Sequence, residues 1–443
     1  MKEYDKQMKE NIMEVNRIIE NNRERLIEDV LKLVSYESVQ AEAKEGMPQG
    51  EKVAKALEET LEMGKAYGFK TMNVNGHAGV IEYGEGEDYV AVLGHLDVVP
   101  VGEGWTKNPL GEVSGDRIYG RGTMDDKGPM VAALHGLIAV KESGATLKHR
   151  IRLIFGTSEE TGGADIVEYL KSEKQPVSGF TPDADFPAIN AEMGILVMKI
   201  SKDLKKHNIL SLEGGQAVNM VPDRASVRYL ENGKEKALSF EGVSAHGSTP
   251  HKGKNAISAL LHELKENSAF AELKDTLSVL EYNFAMDLDG HNMGVDLEDE
   301  ASGKLVLNLG KIKLEDNHLD TYINIRYPVT IKMEDVTEKI RSIFEKEGFT
   351  FEILAHDGPL YYPKDAAFIR KLMDVYAKET GDQSDPLAIG GGTYAKMMDN
   401  IVAFGPLLPG REDTLHQLDE YILIEDLMTC ARIYANAMIE LAK

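Results

Sequence analysis

The sequence predicts an α/β fold, a mixed central sheet flanked by helices, with a second, α+β domain inserted into it. Three observations predict this. The chain has 443 residues, more than the roughly 100–200 residues that one hydrophobic core usually organises. From about residue 89, apolar strand-like runs alternate with helical ones, the pattern of a sheet with helices packed outside. After about residue 190 this alternation gives way to repeated strands with two helices, and from about 355 it resumes. The predicted division is 1–190 plus 355–443 as one discontinuous domain and 191–354 as the insert.

The elements follow in order. Apolar residues recur at three- and four-residue spacings from residue 11 to about 35 and from about 50 to 67, which predicts amphipathic helices, the later one ended by Gly68. Three strand-like runs, FKTMNV, AGVIEYG and DYVAVLG, are split by Asn/Gly and Gly/Glu turn signals, and the third leads into His95. A helix is predicted from about Asp126 to Ser143, then a strand at RIRLIFGTS and a helix in GGADIVEYLKSE. The insert reads as strands GILVMKIS, ASVRYL and KALSFEGVS, a helix at NAISALLHELKENS, strands KLVLNLGKIKLED and LDTYINIRYPVT, and a helix at EDVTEKIRSIFEKEGF. The return holds the helix DAAFIRKLMDVYAKETG, the glycine-rich AIGGGTYAK, the strand NIVAFG and a closing helix after REDTLHQLDE.

Composition excludes several functions. Lys plus Arg number 50 against 74 Asp plus Glu, a formal charge of −24, so a nucleic-acid backbone would be repelled. The N-terminal MKEYDKQMKENIMEVNRIIENNRERL is charged throughout, and no window approaches the ~20 apolar residues that span a bilayer. We therefore expect a soluble, cytoplasmic protein with neither nucleic-acid nor membrane partners. Cys430 is the one cysteine and sits at an apolar helical position, a buried core residue by its spacing. The glycines of IGGGTYAK lack the Gly-Lys-Ser/Thr ending of a phosphate loop, and Gly120-x-Gly122 lacks the third glycine of a dinucleotide fingerprint.

The chemistry-bearing residues gather at element ends. His95 and Asp97, two apart on an extended segment, face one side, so the carboxylate can orient the imidazole while the ring binds a metal. Asp125 and Asp126 stand at the mouth of a helix, where acidic residues also serve its dipole. Glu159 and Glu160 end a strand and point to opposite sides, so one can ligate while the other addresses a water. Asp183 lies in a Pro-rich turn and His416 in DTLHQLDE. Each alone has an ordinary structural explanation. Together they are oxygen and nitrogen donors nearly all placed at the C-terminal side of predicted strands, the edge where open α/β sheets bind ligands.

The motifs GHLDVVP, GRGTMDDKG, GTSEETGG, PDADFP and DTLHQLDE, in that order, resemble those of the co-catalytic metallopeptidases that include aminoacylases, carnosinases and desuccinylases. The wording YGRGTMDDKGP, AVNMVPDRA, NIRYPV and GGGTYAK is most similar to the PepV-type, Xaa-His dipeptidase branch. The resemblance covers nearly the whole chain. It implies a zinc-peptidase-like catalytic domain with an inserted lid, and two divalent ions, zinc by family habit with manganese or cobalt as alternatives. It implies that Asp125 bridges them, that His95 and Asp183 complete one site, and that Glu160 and His416 complete the other. Asp97 would orient His95, Glu159 would be the general base, and the Asp125–Asp126 peptide would be cis.

The same resemblance assigns substrate contacts to Asn219, His246, Arg326, Gly391 and Gly392. Arg326 can clamp a terminal carboxylate, and His246 with Asn219 can donate to an oxyanion. An enlarged lid that supplies its histidine within one chain implies a monomer, and lid closure would gate turnover. The expected activity is hydrolysis of unblocked dipeptides, including Xaa-His or β-Ala-His types. Alternatives are an N-acyl amino acid deacylase or desuccinylase of the same superfamily, or a non-catalytic peptide-binding protein.

Overall fold

The structure is a computed structural model that describes residues 13–443. The chain divides into two compact units. One holds the described chain up to Asn190 with Tyr362–Leu387 and Thr393–Lys443; the other holds Ala191–Tyr361 and Ala388–Gly392.

The first unit is built on a mixed sheet. Its strands run in the order Lys70–Val74, Ala78–Tyr83, Arg150–Gly156, Tyr89–His95, Ser178–Thr181, Ile401–Ala403 and the start of Ile189–Glu192. Tyr89–His95 pairs parallel with both of its neighbours, and Ile401–Ala403 pairs parallel with Ser178–Thr181. A parallel strand covered on both faces reads as a continuous apolar run, and all of YVAVLGH is buried. The outer hairpin is antiparallel.

Helices cover this sheet. Lys127–Ser143 is buried from Lys127 through Val140 and packs against Ile424–Ala442, as expected of a helix apolar on every side. Buried Cys430 lies on the latter helix, where its spacing puts it. Glu51–Ala66 ends before Gly68, whose φ of +74° is the left-handed conformation a glycine stop provides. The segment expected to be helical from residue 11 is interrupted at Asn22: residues 13–21 and Arg23–Val34 are helical, and the Asn22 side chain bonds the Ile18 carbonyl at 3.0 Å. Residues 11 and 12 lie outside the described residues.

The second unit is α+β. Its antiparallel sheet runs Lys234–Glu241, Arg224–Glu231, Ile209–Gly214, Val306–Glu315, His318–Tyr327, Gly194–Asp203, Thr350–Asp357. One sheet face and the helices Ala256–Glu266, Lys274–Leu280 and Met333–Lys346 share a core that includes Leu196, Ile257, Leu277, Ile323 and Ile340. The sequence shows only two of these helices, because Lys274–Leu280 is short and follows non-helical backbone at Phe270. Pairing of Thr350–Asp357 along Gly194–Asp203, and of Leu360–Tyr361 on Ala191–Glu192, keeps the chain in this unit through Tyr361. Among the described residues, no helix is long and apolar enough to cross a membrane.

Candidate metal centre

Three parallel strands deliver donors at their C-terminal ends. His95 closes Tyr89–His95, Asp183 follows Ser178–Thr181, and Glu159 and Glu160 follow Arg150–Gly156. Asp125 comes from the loop before Lys127–Ser143, and the Asp125–Asp126 peptide is cis. His416 is far away in sequence. It is brought in because Tyr421–Leu423 pairs with Arg117–Tyr119, laying the segment that holds His416 beside the loop that holds Asp125.

The two oxygens of Asp125 face two different donor sets. Oδ1 lies 2.9 Å from His95 Nε2, and Asp183 Oδ2 stands 3.7 Å from that same nitrogen. Oδ2 lies 2.8 Å from His416 Nε2, which is 3.2 Å from Glu160 Oε1. Within each set, His95/Asp125/Asp183 and Asp125/Glu160/His416, one ligand atom per residue falls within 4.8 Å of the others. His95 Nδ1–H donates to the Asp97 carbonyl at 2.9 Å, which turns Nε2 and its lone pair toward the carboxylates.

The electrostatics suit cations. Burial pushes the Asp183 carboxyl well above the usual carboxylate range, and the Asp125 charge adds to it. Burial likewise raises Glu159 to about 7, with Asp125, Glu160 and Asp97 adding and His95 opposing. Hydrogen bonds to Asp125 and Glu160 raise His416 to about 10. So many carboxylates around two imidazoles make a donor set of the kind that holds divalent ions such as zinc, manganese or cobalt.

The structure adds to the expected role of Asp97 and changes the expected setting of Glu159 and Glu160. Asp97 meets His95 chiefly through its backbone carbonyl; its carboxylate Oδ1 stands 3.5 Å from Nδ1. Its two oxygens instead accept the backbone N–H groups of Glu159 and Glu160, each at 3.2 Å, and Gln40 donates to Oδ2 at 3.3 Å. Glu159 and Glu160 are also not the end of an extended strand. The strand stops at Gly156, and Glu159–Thr161 is a 3₁₀ turn, so strand alternation does not set the directions of the two side chains.

Residues 91–440 match the family model described as peptidase family M20/M25/M40. The chain belongs to this family. It is 38% identical over 457 residues to "Putative dipeptidase YtjP" of Bacillus subtilis (strain 168), covering 95% of this chain and 98% of that one. It is 35% identical over 450 residues to a Staphylococcus epidermidis protein of the name "Putative dipeptidase", covering 93% and 96%. Among solved structures, human carnosine dipeptidase 1 superposes with a TM-score of 0.64 at 14% identity, covering 97% of this chain and 98% of that one. Aminoacylhistidine dipeptidase from Vibrio alginolyticus gives 0.61 at 14% identity, covering 94% and 96%. At such identity these two likenesses speak for the fold, a catalytic domain with an inserted lid.

Sequence reading of this M20 peptidase missed Glu420. Its Oε1 accepts the N–H groups of Gly122, Met124 and Asp125 at 3.0, 2.9 and 3.3 Å, and Oε2 takes Arg121 Nη1 at 2.5 Å. One buried carboxylate thus shapes the loop that presents Asp125. The available signal was the last residue of the DTLHQLDE motif that holds His416, and a glutamate there says nothing by itself about its partner.

Asn219, His246, Arg326, Gly391 and Gly392 all belong to the second unit. Asn308 Nδ2 bonds the carbonyls of Val218 and Met220 at 3.1 and 2.9 Å, holding the turn that presents Asn219. His246 Nδ1 lies 2.7 Å from Ser248 Oγ, and burial, with the Arg326 charge, lowers its pKa. Arg326 is buried, Nε donates to Asn324 Oδ1 at 3.0 Å, and burial lowers its guanidinium to about 10. The candidate metal donors and Glu159 belong to the first unit.

Proposed function

We propose that this M20 peptidase is a dinuclear metal-dependent dipeptidase acting on unblocked dipeptides, Xaa-His and β-Ala-His types among them. The observation that carries the reading is the Asp125 carboxylate, with one oxygen toward His95 and the other toward His416. His95, Asp125 and Asp183 would hold one divalent ion, and Asp125, Glu160 and His416 the second. Zinc is the first choice, with manganese or cobalt as alternatives. When bound, such a pair supplies Lewis-acid polarisation and lowers the pKa of water.

The chain's own residues do the rest. Glu159 takes the proton of the attacking water and returns it to the leaving amine, work for a carboxylate that neighbours both donor sets and belongs to neither. Asp97 fixes Glu159 and Glu160 through their N–H groups. In the second unit, Arg326 takes the substrate carboxylate, His246 and Asn219 donate to the oxyanion, and Gly391 and Gly392 let backbone approach the peptide closely. The names of the curated relatives support the dipeptide as substrate. The reading also makes the enzyme a cytoplasmic monomer whose lid supplies His246 within the chain.

The deciding experiment is an assay of free dipeptides beside their N-acetylated forms, with and without a chelator. We expect cleavage of free dipeptides, abolished by the chelator and restored by added zinc, manganese or cobalt. Cleavage of the N-acyl compounds alone would make the enzyme a deacylase, and indifference to the chelator would sink the metal scheme.

A further inference from the structure

We propose that Asp165 and Tyr394 are positioning residues that fix the turn carrying Glu159 and Glu160, an inference that rests on Glu159 being the general base. Among the described residues, no hydrogen bond holds the Glu159 carboxylate itself. Its placement is therefore set by the backbone beneath it.

That backbone is clamped by two buried carboxylates on four successive N–H groups. Asp165 Oδ2 accepts those of Thr157 and Ser158, the latter at 2.9 Å, and Asp97 accepts those of Glu159 and Glu160 at 3.2 Å each. Asp165 N–H donates in return to Ser158 Oγ at 3.1 Å. Tyr394 supplies the third donor to Asp165 Oδ2, its hydroxyl 2.6 Å away. Both side chains are buried, and the Tyr394 ring stands edge-on to His95 with centroids 6.1 Å apart. One tyrosine thus backs a metal-donor imidazole with its ring and ties the base-bearing turn with its hydroxyl.

The space is closed around this tie. A Cβ on Gly156 would meet Tyr394 Oη at 1.9 Å and Asp165 Oδ2 at 2.5 Å, so the strand reaches the clamp only as glycine. A base must be held to about half an ångström of its productive position, and a 1 Å misplacement costs on the order of 100-fold in rate. Tightness in this clamp is therefore worth activity.

The test compares Tyr394→Phe, Asp165→Asn and Glu159→Gln with wild type on the best dipeptide of a free-dipeptide panel. It reads kcat, KM, bound metal per chain and thermal midpoint. Tyr394→Phe keeps the ring and loses the tie; Asp165→Asn must present its NH2 either to Thr157 and Ser158 N–H or to Ile166 N–H, which donates to Oδ1 at 2.8 Å. We expect kcat to fall about tenfold in Tyr394→Phe and about 100-fold in Asp165→Asn, with KM within twofold and bound metal falling far less than kcat, since Glu160 is only one donor of one set. If Asp165→Asn does not fold, Tyr394→Phe decides alone. Wild-type kcat in the folded variants beside an inactive Glu159→Gln overturns the positioning role and leaves the base in place. Metal loss in step with kcat also overturns it, as a general loosening of the site. A fully active Glu159→Gln removes the base, and the inference with it.

Discussion

Arg121 and Glu420, 299 residues apart in sequence, form a buried ion pair with Nη1 2.5 Å from Oε2. Removing one partner of such a pair leaves an uncompensated buried charge, which costs about 3–5 kcal/mol. Glu420→Ala also strips the acceptor from the N–H groups of Gly122 and Met124. We expect it to lose at least that much stability in urea denaturation, and to bind metal more weakly through a slackened Asp125 loop.

Because Asp125 belongs to both donor sets, its variants should differ in kind from those of the outer donors. Asp125→Ala should reduce bound metal to near zero. His95→Ala and His416→Ala should each keep one equivalent, as read by elemental analysis after gel filtration. Equal losses in all three would argue against a shared carboxylate.

Protonation of His416 gives a pH prediction. Its hydrogen bonds to Asp125 and Glu160 raise it to about 10 in the metal-free protein, against about 6.5 in an unfolded chain. A raised folded pKa gives stability that is complete below about 6.5 and lost as pH rises to about 10. The side chain is half exposed, so solvent screening reduces the effect. An imidazole must be neutral to ligate a metal, so binding expels this proton and tightens with rising pH. We expect the thermal midpoint of chelated protein to fall from pH 6.5 to 10, and calorimetry at pH 7 to register proton release on metal addition.

Cys430 should be silent toward thiol reagents. It is fully buried, and burial pushes its thiol to about 12, so almost no thiolate is present at neutral pH. Titration with a disulfide reagent should give no thiol in the native protein and one in guanidinium. Rapid native labelling would contradict the packing around Ile424–Ala442.

The parts legible in the sequence were those that local pattern controls. YVAVLGH reads as a buried strand, and its last residue is a donor because parallel strands end at a ligand-binding edge. The Glu159–Glu160 pair was visible as chemistry but misread as geometry, since nothing in GTSEET signals that Asp97 and Asp165 will accept its N–H groups. Asp97 was visible beside His95, yet its carboxylate turned to a segment more than sixty residues away. Glu420 and Tyr394 stayed hidden for the same reason. Their partners lie 295 or more and 229 residues away, and a single chain carries no local trace of such a pairing.

The discontinuity of the first unit also sets an order of events during synthesis. A nascent chain that has passed Asp183 already contains His95, Asp125, Glu160 and Asp183, but His416 and Glu420 come only after the whole second unit has been made. At about 5–20 residues per second that interval lasts tens of seconds. Throughout it one donor set lacks its imidazole and the Asp125 loop lacks its buried acceptor. On the proposed two-metal reading, the unfinished polypeptide is thus born without a competent pair of sites, and a hydrolase of peptide bonds is armed only once its last domain segment has come home.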